Sequence, residues 1–371
     1  MITKNLAKRV YINGTGLFTP SEKISNEELV TTYNKFVDEY LEQHPGAELL
    51  KSDAAFIEKA SGIKSRFAMN KAGILNTQVM GPQNLERRPD ETSLLCEMAV
   101  SAAKEALDAA QMTPSDVNAV ICACSNMPRP YPSLAVEIQN KLNIQGFAFD
   151  LNVACASAVF ALQVAYQHVL LNPEQTVLLV NPEICTAHLN FRDRDCHFIF
   201  GDAATAMLVS SKSHGKKGVF EILDTKLATS FSNNIRNSFG FLNRTTPELL
   251  NPSDLLFKQN GRKVFKDVVG MVSEHLVTHL QKMNLSAQSV RRLWLHQANL
   301  SMNQLIAKKV LDRDAIEDDA PIVLDRYANT SSAGSVIAFH LHKDDLQSGN
   351  IGILSAFGAG YSVGSAILQR V

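Results

Sequence analysis

The sequence predicts an α/β fold in which a mostly parallel sheet is covered by helices and the chain divides into two similar halves. Three observations carry this. Apolar runs of strand length alternate with stretches whose apolar residues recur at helical spacing, the pattern of a layered α/β protein. A polar connection from Ser210 to Gly218 separates two stretches of the same mixed make-up. Phe200-Gly201-Asp202 and the apolar run after it are faintly echoed by Phe357-Gly358-Ala359-Gly360 and its own following run. That echo suggests two similarly built units, residues 1–215 and 216–371.

The 371 residues suffice for one large or two ordinary domains with a sizeable core. With 45% hydrophobic and 20% charged residues, the composition is that of an ordinary globular protein, not a disordered or membrane chain. Basic and acidic residues balance to a net charge of −1, so no global attraction to nucleic acid or to an anionic membrane is expected. The stretch Met1–Val10 lacks the apolar core of a signal peptide, and no run reads as a bilayer span. The expectation is a cytoplasmic protein. The six cysteines form no regular framework, and Cys122-x-Cys124 lies on one face of a strand without a second pair, so neither disulfides nor a metal site is expected.

Taken in order, residues 9–16 read as a strand ending in a glycine turn. Gly14-x-Gly16 lacks the third glycine and the helix of a dinucleotide fingerprint. Asn26-Glu27-Glu28 opens a helix as a cap followed by acids, and 27–60 is mostly helical with a break at Pro45-Gly46. Residues 69–90 form the longest loop. A helix over 92–110 and a strand over 117–123 lead to the rigid proline loop at 128–132, then a helix from Leu134 to Leu142. Thr176–Asn181 is a buried strand, and Phe198–Val209 reads as two strands broken at Gly201-Asp202. The second half gives a strand at 219–224, a helix over 261–283, a strand at Arg292–Leu295 and a helix from Leu300. A strand near 322–324, a helix over 334–346, a strand at Ile351–Ser355 and a terminal strand complete it.

Chemistry concentrates at four places. Phe149 to Leu162 reads as strand, tight turn and helix, with Cys155 between small residues at the helix start. A thiol there faces the positive end of the helix dipole, which favours thiolate and nucleophilic attack. A buried core cysteine is the competing reading. His296 in Leu295-His296-Gln297-Ala298-Asn299 lies where a buried strand ends, the place where ligands sit in an open α/β sheet. Asn329 stands at the lip of another helix, and the turn at 358–360 offers backbone N–H groups. Each alone has a plain structural reading, as core histidine, helix cap or simple turn.

Together, Val153-Ala154-Cys155-Ala156-Ser157, the histidine motif, Asn329-Thr330-Ser331-Ser332-Ala333 and Phe357-Gly358-Ala359-Gly360 resemble the β-ketoacyl-acyl-carrier-protein synthase III family of thiolase-like condensing enzymes. The resemblance runs from about residue 9 to the C-terminus. Sister synthases carry a His-Gly-Thr motif absent here, and thiolases a second catalytic cysteine near the C-terminus, where this chain has none after Cys196. The resemblance implies a thiolase-like layered αβαβα sandwich, a homodimer, and no cofactor beyond a coenzyme A thioester substrate. It implies that an acyl-coenzyme A acylates Cys155, with the N–H groups of Cys155 and Ala359 as oxyanion hole. Malonyl-acyl-carrier protein then decarboxylates against His296 and Asn329 and condenses to a β-ketoacyl thioester.

The same resemblance assigns Phe56, Tyr131 and Gly261 to the substrate and coenzyme A pocket, Tyr131 reaching across the dimer. It assigns Lys266, Lys308 and Lys309 to carrier-protein docking. Departures are informative. Ala359 replaces a usual glycine, Phe56 and Ala60 stand where acetyl-coenzyme A users have a tryptophan and an arginine, and Ser301 replaces a docking arginine. With the longer segments at 27–55 and 69–90, these departures suggest a primer other than acetyl, of medium chain length. A condensing enzyme that joins two acyl thioesters or uses malonyl-coenzyme A, and a non-catalytic partner subunit, are the alternatives.

Overall fold

A computed structural model of the protein describes residues 9–84, 87–215, 218–237 and 255–371. The strands of its main sheet are β1 (Tyr11–Phe18), β2 (Ala119–Ala123), β3 (Phe147–Leu151), β4 (Val177–Ile184), β5 (Asp202–Ser210), β6 (Phe220–Ser232), β7 (Val290–Leu295), β8 (Ile351–Gly358) and β9 (Gly360–Arg370). They pair in the order β7-β8-β9-β6-β1-β5-β4-β2-β3. Outward from the centre the first half runs β1, β5, β4, β2 and the second β6, β9, β8, β7, the same sequence of roles. The halves meet through a short antiparallel contact, Tyr11 opposite Glu221 and Ile12 opposite Phe220.

Helices α3 (Leu94–Ala110) and α4 (Leu134–Leu142) cover the outside of the first half, and α6 (Gly261–Lys282) and α7 (Leu300–Leu311) the outside of the second. Between the halves lie α5 (Ser157–Leu171) and α8 (Ala333–Leu341), whose apolar faces share one core with strands of both. The result is five layers, αβαβα. Both central helices are largely apolar because strands of both halves cover them, although α5 keeps Gln167 exposed. Residues Ala154–Leu171 are, contrary to the sequence reading, long and apolar enough to cross a membrane by length and composition. In the fold this stretch is the central helix, its apolar side chains packed between strands of both halves.

Several expectations change in detail. Helix α1 (Asn26–Gln43) is capped by Ser25, not Asn26: Ser25 and Glu28 form a reciprocal capping box, while Asn26 Nδ2 donates to the Ile63 carbonyl at 2.7 Å. Helix α2 (Ala54–Ser61) follows, capped by Asp53. Phe198–Phe200 is not a strand. Its only β-pairing among the described residues is an isolated bridge from Phe200 to Asn329, and Gly201 packs so close to the Tyr327 carbonyl that a Cβ would lie 2.3 Å from it. The strand expected near 322–324 is a short helical turn, because Gln297 Oε1 accepts from the N–H groups of Val323 and Leu324. Helix α8 stops at Leu341, five residues early, where Arg292 and Trp294 take the His342 carbonyl.

Candidate active site

Strand β3 carries the chain to Leu151, and residues 152–156 then turn it into α5. Ala154 takes a left-handed conformation, φ +47, which costs a residue with a Cβ roughly 1–2 kcal/mol. Local hydrogen bonds hold it there. Ala154 N–H donates to Asn152 Oδ1 at 2.9 Å, Val153 N–H to Ser157 Oγ at 2.8 Å, and the Ser157 hydroxyl to the Ala154 carbonyl at 2.6 Å. Cys155 therefore stands one residue before the helix cap, Ala156, rather than within the first turn. Opposite it, a Cβ on Gly358 would lie 2.7 Å from Cys155 Cβ and 3.1 Å from Sγ, so only glycine leaves the sulfur its space.

The expectation of a depressed thiol pKa is reversed. Burial pushes the Cys155 thiol up from 9.0 to about 11. Three donors work the other way: the Ser331 hydroxyl, 3.4 Å from Sγ, and the backbone N–H groups of Cys155 and Ala359. The helix-end argument counts the dipole but not the desolvation of the anion, and here desolvation wins.

His296 begins where β7 ends, its N–H donating to the Ser355 carbonyl at 2.8 Å. The ring is buried edge-on to Phe357, centroids 5.3 Å apart and planes at 90°. Burial lowers its pKa to about 4, so at neutral pH the imidazole is uncharged and keeps one N–H to donate. Asn329 is pinned on both sides of its backbone, its N–H to the Ile199 carbonyl at 2.9 Å and its carbonyl to Gly201 N–H at 3.1 Å. Its Oδ1 accepts from Ser331 N–H at 2.8 Å, which leaves the Nδ2 donor for the cavity that Asn329 lines. Asn329 is thus no helix cap.

Cys155, His296, Asn329 and Gly358 lie at one cavity of about 570 Å³. Its walls include Ile63, Ile199, Phe200, Phe257 and Val268, all buried, and its exposed rim includes Ala60, Gly261 and Arg262. Phe56 and Gly261 line it as the sequence implied. Beside Phe56 the sequence reading missed a cation. The Arg194 guanidinium lies 4.1 Å from the Phe56 ring centroid, held by Nε donating to the Lys51 carbonyl at 2.8 Å. Tyr131 is 83% exposed on the proline loop and lines no part of its own chain's cavity. Lys266 and Lys309 are exposed, and Lys308 pairs with Asp314 at 2.7 Å. Among the described residues no cluster of metal-binding side chains occurs.

Two more residues escaped the sequence reading. Ser331, also left-handed at φ +49, touches both the thiol and Asn329. Glu183, at the inner end of β4, is a fully buried carboxylate close behind them. The signal was present in Asn181-Pro182-Glu183, an acid closing an otherwise apolar buried strand.

Residues 149–230 match the family described as 3-oxoacyl-[acyl-carrier-protein (ACP)] synthase III, and residues 280–370 its C-terminal counterpart. The β-ketodecanoyl-[acyl-carrier-protein] synthase of Pseudomonas aeruginosa is 56% identical over 347 residues, 91% of this chain and 99% of that protein. The β-ketoacyl-[acyl-carrier-protein] synthase III of Granulibacter bethesdensis is 27% identical over 98% of this chain and 99% of its own. In fold, the chain is similar to the crystal structure of 3-oxoacyl-[acyl-carrier-protein] synthase III from Aquifex aeolicus, with TM-score 0.77 at 23% identity, covering 97% of this chain and 100% of that one.

Proposed function

The chain belongs to the 3-oxoacyl-[acyl-carrier-protein] synthase III family, and we propose that it extends a medium-chain acyl primer by decarboxylative condensation with malonyl-acyl-carrier protein. The observation that carries the primer length is the 56% identity, over nearly the whole chain, to a synthase named for a ten-carbon β-ketoacyl product. Malonyl adds two carbons after losing carbon dioxide, so such a product comes from an eight-carbon primer.

In this reading each residue has a task. Cys155 Sγ attacks the thioester carbonyl of the primer. The C–S bond to coenzyme A breaks, and the thiol proton leaves with the departing sulfur. The N–H groups of Cys155 and Ala359, both aimed at the sulfur, stabilise the oxyanion. Malonyl-acyl-carrier protein enters the vacated cavity. As its carboxylate departs as carbon dioxide, the electron pair moves onto the thioester oxygen, where the neutral His296 N–H and the Asn329 amide donate. Preorganised donors of this kind are typically worth about 3–4 kcal/mol each. The enolate carbon then attacks the acyl carbonyl, a C–C bond forms, and the Cys155 thiolate leaves to be reprotonated. Phe56 with Arg194 and Arg262 suit the adenine ring and phosphates of coenzyme A, restoring the charge that Ala60 does not supply.

The working form in this reading is a cytoplasmic homodimer. Strand β3 is an open sheet edge that carries Phe147, 43% exposed, and the exposed Tyr131 is free to enter a partner's pocket. Within each chain the division falls at residue 215, with Cys155 in one unit and His296 and Asn329 in the other. Lys266, Lys308 and Lys309 supply a local basic face for the acidic carrier protein.

The test is intact-mass spectrometry after incubation with coenzyme A thioesters from acetyl to dodecanoyl, followed by malonyl carried on acyl-carrier protein or on coenzyme A. The expected result is fastest acylation near eight carbons, lost in Cys155→Ala, and release of the adduct by the carrier-protein donor only. A clear acetyl preference refutes the primer assignment, and release by malonyl-coenzyme A alone refutes the donor.

A further inference from the structure

We propose that Glu183 is a positioning residue for the condensation step, holding the turn that aims Asn329. The inference rests on the condensing reading above. Glu183 is 1% exposed. Its Oε1 accepts from Ser125 N–H at 2.9 Å, from Ser332 N–H at 3.2 Å and from the Ser332 hydroxyl; its Oε2 accepts from the Ser125 hydroxyl at 2.6 Å. A buried carboxylate is tolerated only when its oxygens are satisfied in this way. These four donors come from two segments that frame the site, the loop leaving β2 and the turn entering α8; the Cys185 thiol, 3.8 Å from Oε2, adds a weaker fifth.

The two links differ in length. On one side Ser332 is the residue after Ser331, whose N–H fixes the Asn329 amide and whose hydroxyl touches Cys155 Sγ. Ser331 holds a left-handed backbone, φ +49, that persists only where its surroundings enforce it, and the Glu183–Ser332 bonds are the adjacent anchor. On the other side the path to Cys155 is longer: the Ser125 carbonyl accepts from Asn152 Nδ2 at 2.9 Å, and Asn152 Oδ1 then holds the Ala154 N–H. The short link also reaches Cys155 through the Ser331 hydroxyl, but that contact is one of three donors to the sulfur, the other two being the backbone N–H groups of Cys155 and Ala359. The Ser331 N–H, by contrast, is what fixes the Asn329 amide, so loss of the carboxylate loosens Asn329 more than it loosens Cys155. The negative charge of Glu183 also opposes thiolate formation at Cys155, so its removal does nothing to hinder acylation electrostatically.

The experiment uses the full chain with Glu183→Gln, Ser332→Ala and both together. Acylation by octanoyl-coenzyme A is timed by intact mass, and condensation is timed separately by mixing pre-acylated protein with malonyl-acyl-carrier protein. Glu183→Gln should slow the condensation rate constant by about tenfold or more while acylation stays within about threefold. Ser332→Ala should shift the same step in the same direction by less, and the double variant should be no slower than Glu183→Gln, since the two side chains act as one unit. Loosening of the whole fold would instead reduce the reactive fraction, leaving both rate constants alike. Equal losses in the two steps, or unchanged condensation, overturn the proposal, and if Glu183→Gln fails to fold, Ser332→Ala decides by the same criterion. An unsubstituted chain that acylates yet never condenses overturns the functional reading, and this inference with it.

Discussion

Alkylation of Cys155 should climb with pH well past the point where an ordinary exposed cysteine levels off. Burial sets the thiol at about 11 against an ordinary 9.0, with Ser331 and two backbone N–H groups offsetting only part of the desolvation. The reactive thiolate is then about a hundredfold scarcer at pH 7 than for an ordinary thiol. The other five cysteines are buried, so the alkylation of native protein reports on Cys155. The assay is iodoacetamide labelling over pH 6 to 10, read as mass gain on the Cys155 peptide. The log of the rate should rise through pH 9 with a slope near one and without a plateau. Removing one donor sharpens the test. Ser331→Ala should push the curve to higher pH still, by about one unit, the scale of a hydrogen bond to a charged group. A plateau below pH 8 would refute the reasoning, since it would mean that the helix end and the three donors outweigh desolvation after all.

Gly358→Ala places a methyl 2.7 Å from Cys155 Cβ, and a displaced nucleophile should lose acylation by about a hundredfold with little change in melting temperature; full activity by the mass assay would contradict the packing. Away from the site, His275 and His279 lie between α6 and strands β6 and β9, both bonded to the Ser365 hydroxyl, with Asp224, Lys226 and Lys282 beside them. Burial lowers both to about 4, below the ordinary 6.5, so their contribution to stability is full above pH 6.5 and is lost as pH falls toward 4, where the unfolded chain binds protons that the fold excludes. Thermal melts from pH 7 to 4.5 should show a drop of several degrees that is smaller in His279→Gln; an equal drop in both would assign it elsewhere.

The fold was legible where the chain's periodicity has one cause. Leu134–Leu142 was read from its spacing to the residue, and α6 within one, because each is a surface helix with one buried face. The readings that failed are those where an apolar run is buried by something other than a sheet. Val323 and Leu324 look like a strand but are held by the Gln297 side chain, and Phe198–Phe200 is buried in a separate apolar cluster with residues of α1 and α2. The site divides the same way. Cys155, His296 and Asn329 stand in contiguous motifs and could be read. Glu183, Arg194 and the Ser331 hydroxyl act through partners far away in the chain, and spacing carries no trace of such contacts.

The suppressed thiol and the suppressed imidazole have one origin, and it serves the second half of the reaction better than the first. With Cys155 near 11 and His296 near 4, a standing thiolate–imidazolium pair is steeply unfavourable. In the proposed mechanism acylation therefore passes its proton to the departing coenzyme A sulfur as the bond to Cys155 forms, with the Cys155 and Ala359 N–H groups carrying the charge in between. Once the thioester is made, the nucleophile is neutral and the apolar walls no longer penalise it. Those walls now face a malonyl carboxylate about to leave as neutral carbon dioxide and an enolate oxygen held by two neutral donors. A weakly screening cavity with largely apolar walls strengthens both donor contacts. A histidine protonated at neutral pH would give up that state, because its proton could pass to the enolate and quench the nucleophile before carbon–carbon bond formation. In the proposed mechanism an uncharged His296 is thus the condition for condensation, and a slow-to-ionise Cys155 is its consequence in the same buried space.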